Sequence, residues 1–169
     1  MQSNFVYFKK KKSFTIIEAI IAIFILVTGI LTILSLISYF TSITSISTQK
    51  LIAAYLAQEG IEIVRNIRDG NLLKIQKGEN INWDEGLLSG DWQVDYNDTS
   101  LSPYTDSSFL NLEPNGFYGY ESGIPTNFKR KITLEKNDDV LKIIVEVSWK
   151  ERGRLHSLNA QENIYNWQP

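Results

Sequence analysis

The chain has 169 residues, with 17 basic and 19 acidic side chains, a formal charge of -2 and no cysteine. Once a long apolar N-terminal segment is set aside, that length leaves room for one modest soluble domain. The missing cysteines exclude disulfide staples, thiolate metal sites and a cysteine nucleophile, and they leave the compartment unreadable from redox chemistry. Four tryptophans, eight tyrosines and eight phenylalanines supply the large apolar surfaces of a folded core. Charge is unevenly spread, because Lys9, Lys10, Lys11 and Lys12 are consecutive and no acid precedes Glu18. Without those lysines thirteen basic side chains face nineteen acidic ones, a balance of about -6 that suits general polyanion binding poorly.

Residues 14–40 read FTIIEAIIAIFILVTGILTILSLISYF, with Glu18 as the one charged residue. As a helix this segment runs roughly 40 Å, enough to cross a hydrocarbon core of about 30 Å. It is too long for a removable secretory signal, and a soluble part this small could not cover it as a core helix. The lysine run in front holds the N-terminus on the cytoplasmic side of the membrane and sends the C-terminal bulk outward. A carboxylate inside such a helix costs about 2.5 to 3.5 kcal/mol, so Glu18 either finds a partner or sits close enough to the boundary to stay hydrated.

The run Lys11-Lys12-Ser13-Phe14-Thr15-Ile16-Ile17-Glu18 resembles the class III signal of type IV pilins and type II secretion pseudopilins. That signal is a basic leader, a small residue, and a phenylalanine that starts the mature chain with glutamate as its fifth residue. The resemblance implies cleavage by prepilin peptidase between Ser13 and Phe14, N-methylation of Phe14, and a register role for Glu18, which would neutralise the Phe14 amine of a neighbouring subunit within the filament core. It further implies pilin or pseudopilin subunits, a membrane assembly platform and the lipid bilayer as partners, and a path from the cytoplasmic (inner) membrane to an extracytoplasmic filament. Ser13 stands where the family usually has glycine, and residues 19–40 lack the proline that kinks major pilins, with Gly29 beside Thr28 the one weak point. The missing kink and cysteines match a minor pilin or pseudopilin better than a disulfide-looped major pilin.

Residues 41–70 keep apolar residues at helical spacing among polar ones, so the helix turns amphipathic, with Leu51, Ala54, Tyr55, Ile61, Val64 and Ile67 on one stripe. Asp69-Gly70-Asn71 supplies a stop with Gly70 at the left-handed cap, and Arg65 and Asp69 are spaced as an exposed pair. The stretch AYLAQEGIEIVRNIRD, within residues 54–69, resembles minor pilins and I-type minor pseudopilins, whose helix packs on a small antiparallel sheet.

Residues 71–127 read as a loop-rich region with short strands: a loop held by Trp83, a strand over 91–96, and a hairpin of 109–112 with 117–120 around Glu113-Pro114-Asn115-Gly116. Residues 128–169 carry the clearest sheet signal. Phe128, Arg130, Ile132 and Leu134 alternate with Lys129, Lys131, Thr133 and Glu135; a turn at Asn137-Asp138-Asp139 leads to the face Leu141, Ile143, Val145, Val147 and Trp149. Glu151-Arg152-Gly153-Arg154 reverses the chain into a last strand over 155–165. The expected fold is α+β and pilin-like: a basic leader over 1–13, then one long N-terminal helix, transmembrane over 14–40 and amphipathic over 41–70, packed on an antiparallel meander.

Catalysis needs convergent groups, and the single histidine, His156, has no motif beside it. No phosphate-cradling glycine loop, nucleophile elbow or zinc-ligand spacing occurs, so neither an enzyme nor a cofactor is expected. Asp138 and Asp139 read as turn residues, since calcium needs six or more oxygens around it. Lys129, Arg130 and Lys131, with Arg152 and Arg154, make a thin basic patch, but strand alternation sends Arg130 to the other face, which argues against DNA. A structural filament subunit is therefore the expectation. The alternatives are an uncleaved, signal-anchored extracytoplasmic binding or sensor module and a DNA-binding pilin of an uptake system.

Overall fold

A computed structural model describes residues 13–166; most of the expected leader, with its lysine run, and residues 167–169 lie outside them. The elements are a helix α1 (Ile16–Gln76) and eight strands, β1 (Gly90–Gln93), β2 (Ser102–Pro103), β3 (Asn111–Leu112), β4 (Tyr118–Gly119), β5 (Ile124–Pro125), β6 (Phe128–Asn137), β7 (Val140–Glu151) and β8 (Arg154–Tyr165). Two compact units part between Ser45 and Ile46.

In the first unit every large apolar side chain from Phe14 to Phe40 is exposed, and the helix is long and apolar enough to cross a membrane. Three of its threonine hydroxyls bond back to the helix itself. Thr28 donates to the Phe24 carbonyl at 2.8 Å, Thr32 to that of Thr28 at 2.8 Å and Thr41 to that of Ile37 at 2.9 Å, which is how a polar side chain is carried through a medium without water.

In the second unit the rest of α1 packs on an antiparallel five-stranded sheet of order β2-β1-β6-β7-β8, and a three-stranded sheet of order β4-β3-β5 lies in the connecting region. The α+β architecture expected from the sequence is thus the observed one. Strands β6, β7 and β8 form the meander, with Phe128 opposite Trp149 and Val140 opposite Tyr165. Phe128, Ile132 and Leu134 of β6 and the whole Leu141–Trp149 face of β7 are buried. Arg152 and Gly153 both take positive φ, 49° and 81°, as a two-residue hairpin turn that follows the strand twist requires.

The helix seam coincides with the stripe expected from the sequence only in part. Leu51, Ala54 and Tyr55 are exposed, and the buried positions are Ala53, Leu56, Ala57, Gly60, Ile63 and Val64. Three of these are small, so the backbone can lie close to the sheet: a Cβ on Gly60 would stand 3.1 Å from Val145 Cγ1. The expected stripe holds in its second half, where Val64 is buried and Ile61 and Ile67 pack against the core; it fails at Leu51, Ala54 and Tyr55, where the contact is made by small residues that hydrophobic size does not pick out.

The helix also runs through the expected stop at Gly70. Asn71 and Leu72 are buried, and Asn71 Nδ2 donates to the carbonyls of Glu85 at 2.8 Å and Trp83 at 3.3 Å, so tertiary partners hold residues 71–76 helical. The end comes about two turns later. Gly78 has φ 90°, its N–H bonds to the Ile75 carbonyl and that of Glu79 to the Lys74 carbonyl, the paired closure of a Schellman cap. The first strand is shorter than expected for a similar reason, since the Val94 carbonyl is taken by Arg130 and the Asp95 N–H by Asp98.

The two glycines should respond in opposite directions. Gly60→Val forces branched carbons into Val145 and should cost about 2 to 3 kcal/mol. Gly70→Ala meets no atom within 4 Å and should add about 0.5 to 1 kcal/mol, because Gly70 is an interior helical position. Denaturant unfolding in detergent, followed by tryptophan fluorescence, reports both.

Candidate functional site

The residues singled out in the sequence sit at the start of the helix. Ser13, Phe14 and Thr15 are non-helical and exposed, and α1 begins at Ile16. Thr15 is the N-cap: its Oγ1 accepts from the Glu18 N–H at 3.4 Å, and its carbonyl accepts from Ala19 N–H at 3.2 Å. Glu18 therefore occupies the third helical position, where a carboxylate meets the positive end of the helix dipole. The Thr-x-x-Glu spacing was a capping signal that the reading from the signal motif passed over. The Ser13–Phe14 bond thus lies in non-helical chain just ahead of a capped helix, and Phe14 is 71% exposed.

The other candidates resolve into structure. Arg130 does face away from Lys129 and Lys131, and it is 0% exposed. Its guanidinium pairs with Glu59 at 2.7 Å and donates to the carbonyls of Val94 at 2.7 Å and Leu56 at 3.3 Å. Alternation gave the face of Arg130, but a buried arginine has no signature without the acid that meets it from 71 residues away.

Lys129 contacts the Asp106 backbone carbonyl, lies 3.3 Å from the Asp106 carboxylate and sits over the Phe109 ring at 4.8 Å. Lys131 is 3.6 Å from Glu146. Lys129 first, then the Tyr104 hydroxyl, holds the Asp106 carboxyl below the usual carboxylate range. Burial, aided by that hydrogen bond, pushes the Tyr104 phenol up to about 12. These lysines are committed to acids of their own chain, and the patch does not come together as one cationic surface.

His156 stacks on Trp149 with ring centroids 5.5 Å apart and planes at 17°. Asp138 and Asp139 form the β6–β7 turn, with Asp138 at φ 52°. Among the described residues no three groups capable of holding a metal converge. Arg65, expected to pair with Asp69, instead reaches β8 and grips Glu162 through two contacts at 2.6 and 2.7 Å, while Asp69 meets Arg68 at 2.6 Å.

Glu59→Gln would leave Arg130 in the core without its counter-charge and should lower unfolding free energy by about 3 kcal/mol. Lys129→Gln removes an exposed contact and should stay within about 0.5 kcal/mol of the parent. Chemical unfolding of the two variants side by side checks the contrast. No protein-family model, no curated protein and no solved structure matches the chain.

Proposed function

We propose that this chain is a structural subunit, a minor pilin or minor pseudopilin, of a type IV pilus or type II secretion pseudopilus. It is inserted in the cytoplasmic membrane with its N-terminus inside, trimmed by prepilin peptidase between Ser13 and Phe14, methylated at Phe14, and passed by a membrane assembly platform into an extracytoplasmic filament of like subunits. The observation that carries this reading is the exposed, non-helical Ser13–Phe14 bond standing directly before a Thr15-capped apolar helix with Glu18 in its first turn.

The chemistry follows from that arrangement. Cleavage creates a cationic amine at Phe14, one residue ahead of the cap, while Glu18 lies in the first helical turn behind it. In a bundle of such helices the carboxylate of one copy neutralises the amine of the next, and burial in an apolar medium strengthens the attraction. A copy displaced along the axis leaves both charges uncompensated, a penalty of several kcal/mol that sets register. An apolar helix whose side chains are all outward has the surface such a bundle requires.

Intact-mass measurement of the chain purified from cells with an active prepilin peptidase should show loss of residues 1–13 and gain of one methyl group. A chain that keeps its lysines would instead be a signal-anchored module. Glu18→Val should insert and be trimmed normally yet fail to enter sheared filaments, and normal incorporation of that variant would overturn the pairing mechanism.

A further inference from the structure

Charge is segregated across the second unit. Residues 78–127, which make β1 to β5, carry nine carboxylates and no lysine or arginine. Of these, β1 and β2 lie beyond β6 in the five-stranded sheet, and β8 closes its opposite edge. On the acidic flank a groove runs along α1, lined by Tyr55, Gln58, Glu59 and Glu62 of the helix and by Tyr96 and Phe117 facing them. Tyr96 and Phe117 stack at 4.7 Å with planes 11° apart, so the wall is a firm aromatic surface. Glu59 and Glu62 already meet Arg130 and Arg65, and a carboxylate has lone pairs for more than one donor.

On the opposite flank, the β7–β8 turn presents the reverse chemistry. Arg152 and Arg154 are exposed there, and Leu155 beside them is 77% exposed. An arginine next to an apolar side chain is what an acidic, aromatic groove accepts, through charge-assisted hydrogen bonds and through its flat face on the rings.

We propose that the groove between α1 and the Tyr96–Phe117 stack receives the β7–β8 turn of a second copy of this chain. Opposite flanks that complement each other make a head-to-tail contact, which repeats in one direction and does not close on itself. The two surfaces also sit at different heights. Asn127 joins the end of β7 to the helix, donating to the Lys150 carbonyl at 2.8 Å and to Gln49 Oε1 at 3.3 Å, so the turn lies near the level of Gln49. The groove is centred near Gln58, nine residues further along, so copies so joined are staggered by at least roughly 14 Å. This inference rests on the filament reading, since it takes both copies to be anchored in one membrane and pointing the same way.

The chain has no cysteine of its own, so paired cysteines report the contact cleanly. Gln58→Cys and Leu155→Cys are both at exposed positions. They should be carried by separately tagged full-length copies in cells that process the chain. A short bis-maleimide should then join position 58 of one copy to position 155 of the other, and Arg154→Glu in the second copy should cut that yield about tenfold. Processed chains that give no 58–155 product, that join only like to like, or that link position 58 only to a different protein would overturn this docking and leave the filament reading standing. Chains that are never processed would defeat the filament reading and this docking with it.

Discussion

The second unit is organised around a cation that never reaches water. Arg130 leaves the core face of β6, pairs with Glu59 and bonds the Leu56 carbonyl on α1, and bonds the Val94 carbonyl where the chain leaves β1. Helix, central strand and loop region are thereby fixed by one side chain. A charge in that position is tolerated only while each of those partners stays in place, so the site selects one arrangement of the three segments over near alternatives. The same stretch of helix carries Ala57 and Gly60, whose small size brings the backbone to the sheet and puts the Arg130 stem 3.4 Å from where a Gly60 Cβ would be. Close approach and buried charge are parts of one contact: the arginine reaches the Leu56 carbonyl because nothing bulky intervenes.

The composition of α1 changes along its length. Up to Phe40 the helix shows apolar side chains on all sides and returns the hydroxyls of Thr28 and Thr32 to its own carbonyls, a surface that a hydrocarbon medium would tolerate. Beyond Ile46 small and apolar residues occupy one face and Tyr55, Gln58 and Glu62 the other, as a sheet on one side and water on the other demand. At its beginning Thr15 closes the first turn, which leaves the preceding Ser13–Phe14 bond outside the helix. The proposed processing and the proposed assembly use the two sides of that cap, an open backbone before it and a carboxylate behind it.

The connecting region contributes less regular structure and more chemical character. Its strands are short, but it supplies Leu87, Val94 and Leu110 to the core, and it gathers the carboxylates that make one flank of the domain acidic. Gly119 shows how tightly that region is built, for a Cβ there would stand 2.7 Å from both the Asp95 and Glu113 carboxylates. An aromatic groove and an exposed arginine turn on opposite flanks of one domain are the surfaces from which a one-directional assembly can be made.

By itself the sequence determined the elements whose signals are local: the apolar span from Phe14, the Pro114–Gly116 turn, and the alternation of β6 and β7 down to the side on which Arg130 stands. Each rests on spacing between neighbours, and spacing is written in the chain. Only the tertiary structure decided which helix face is buried, because Ala53, Ala57 and Gly60 are chosen by fit to the sheet and not by hydrophobicity. The same holds for the end of α1, where Asn71 finds the Trp83 and Glu85 carbonyls and carries the helix past a glycine that alone would have ended it. It holds again for the meeting of Glu59 with Arg130, and of Arg65 with Glu162, since partners 71 and 97 residues apart are brought together by folding and leave no mark on either neighbourhood.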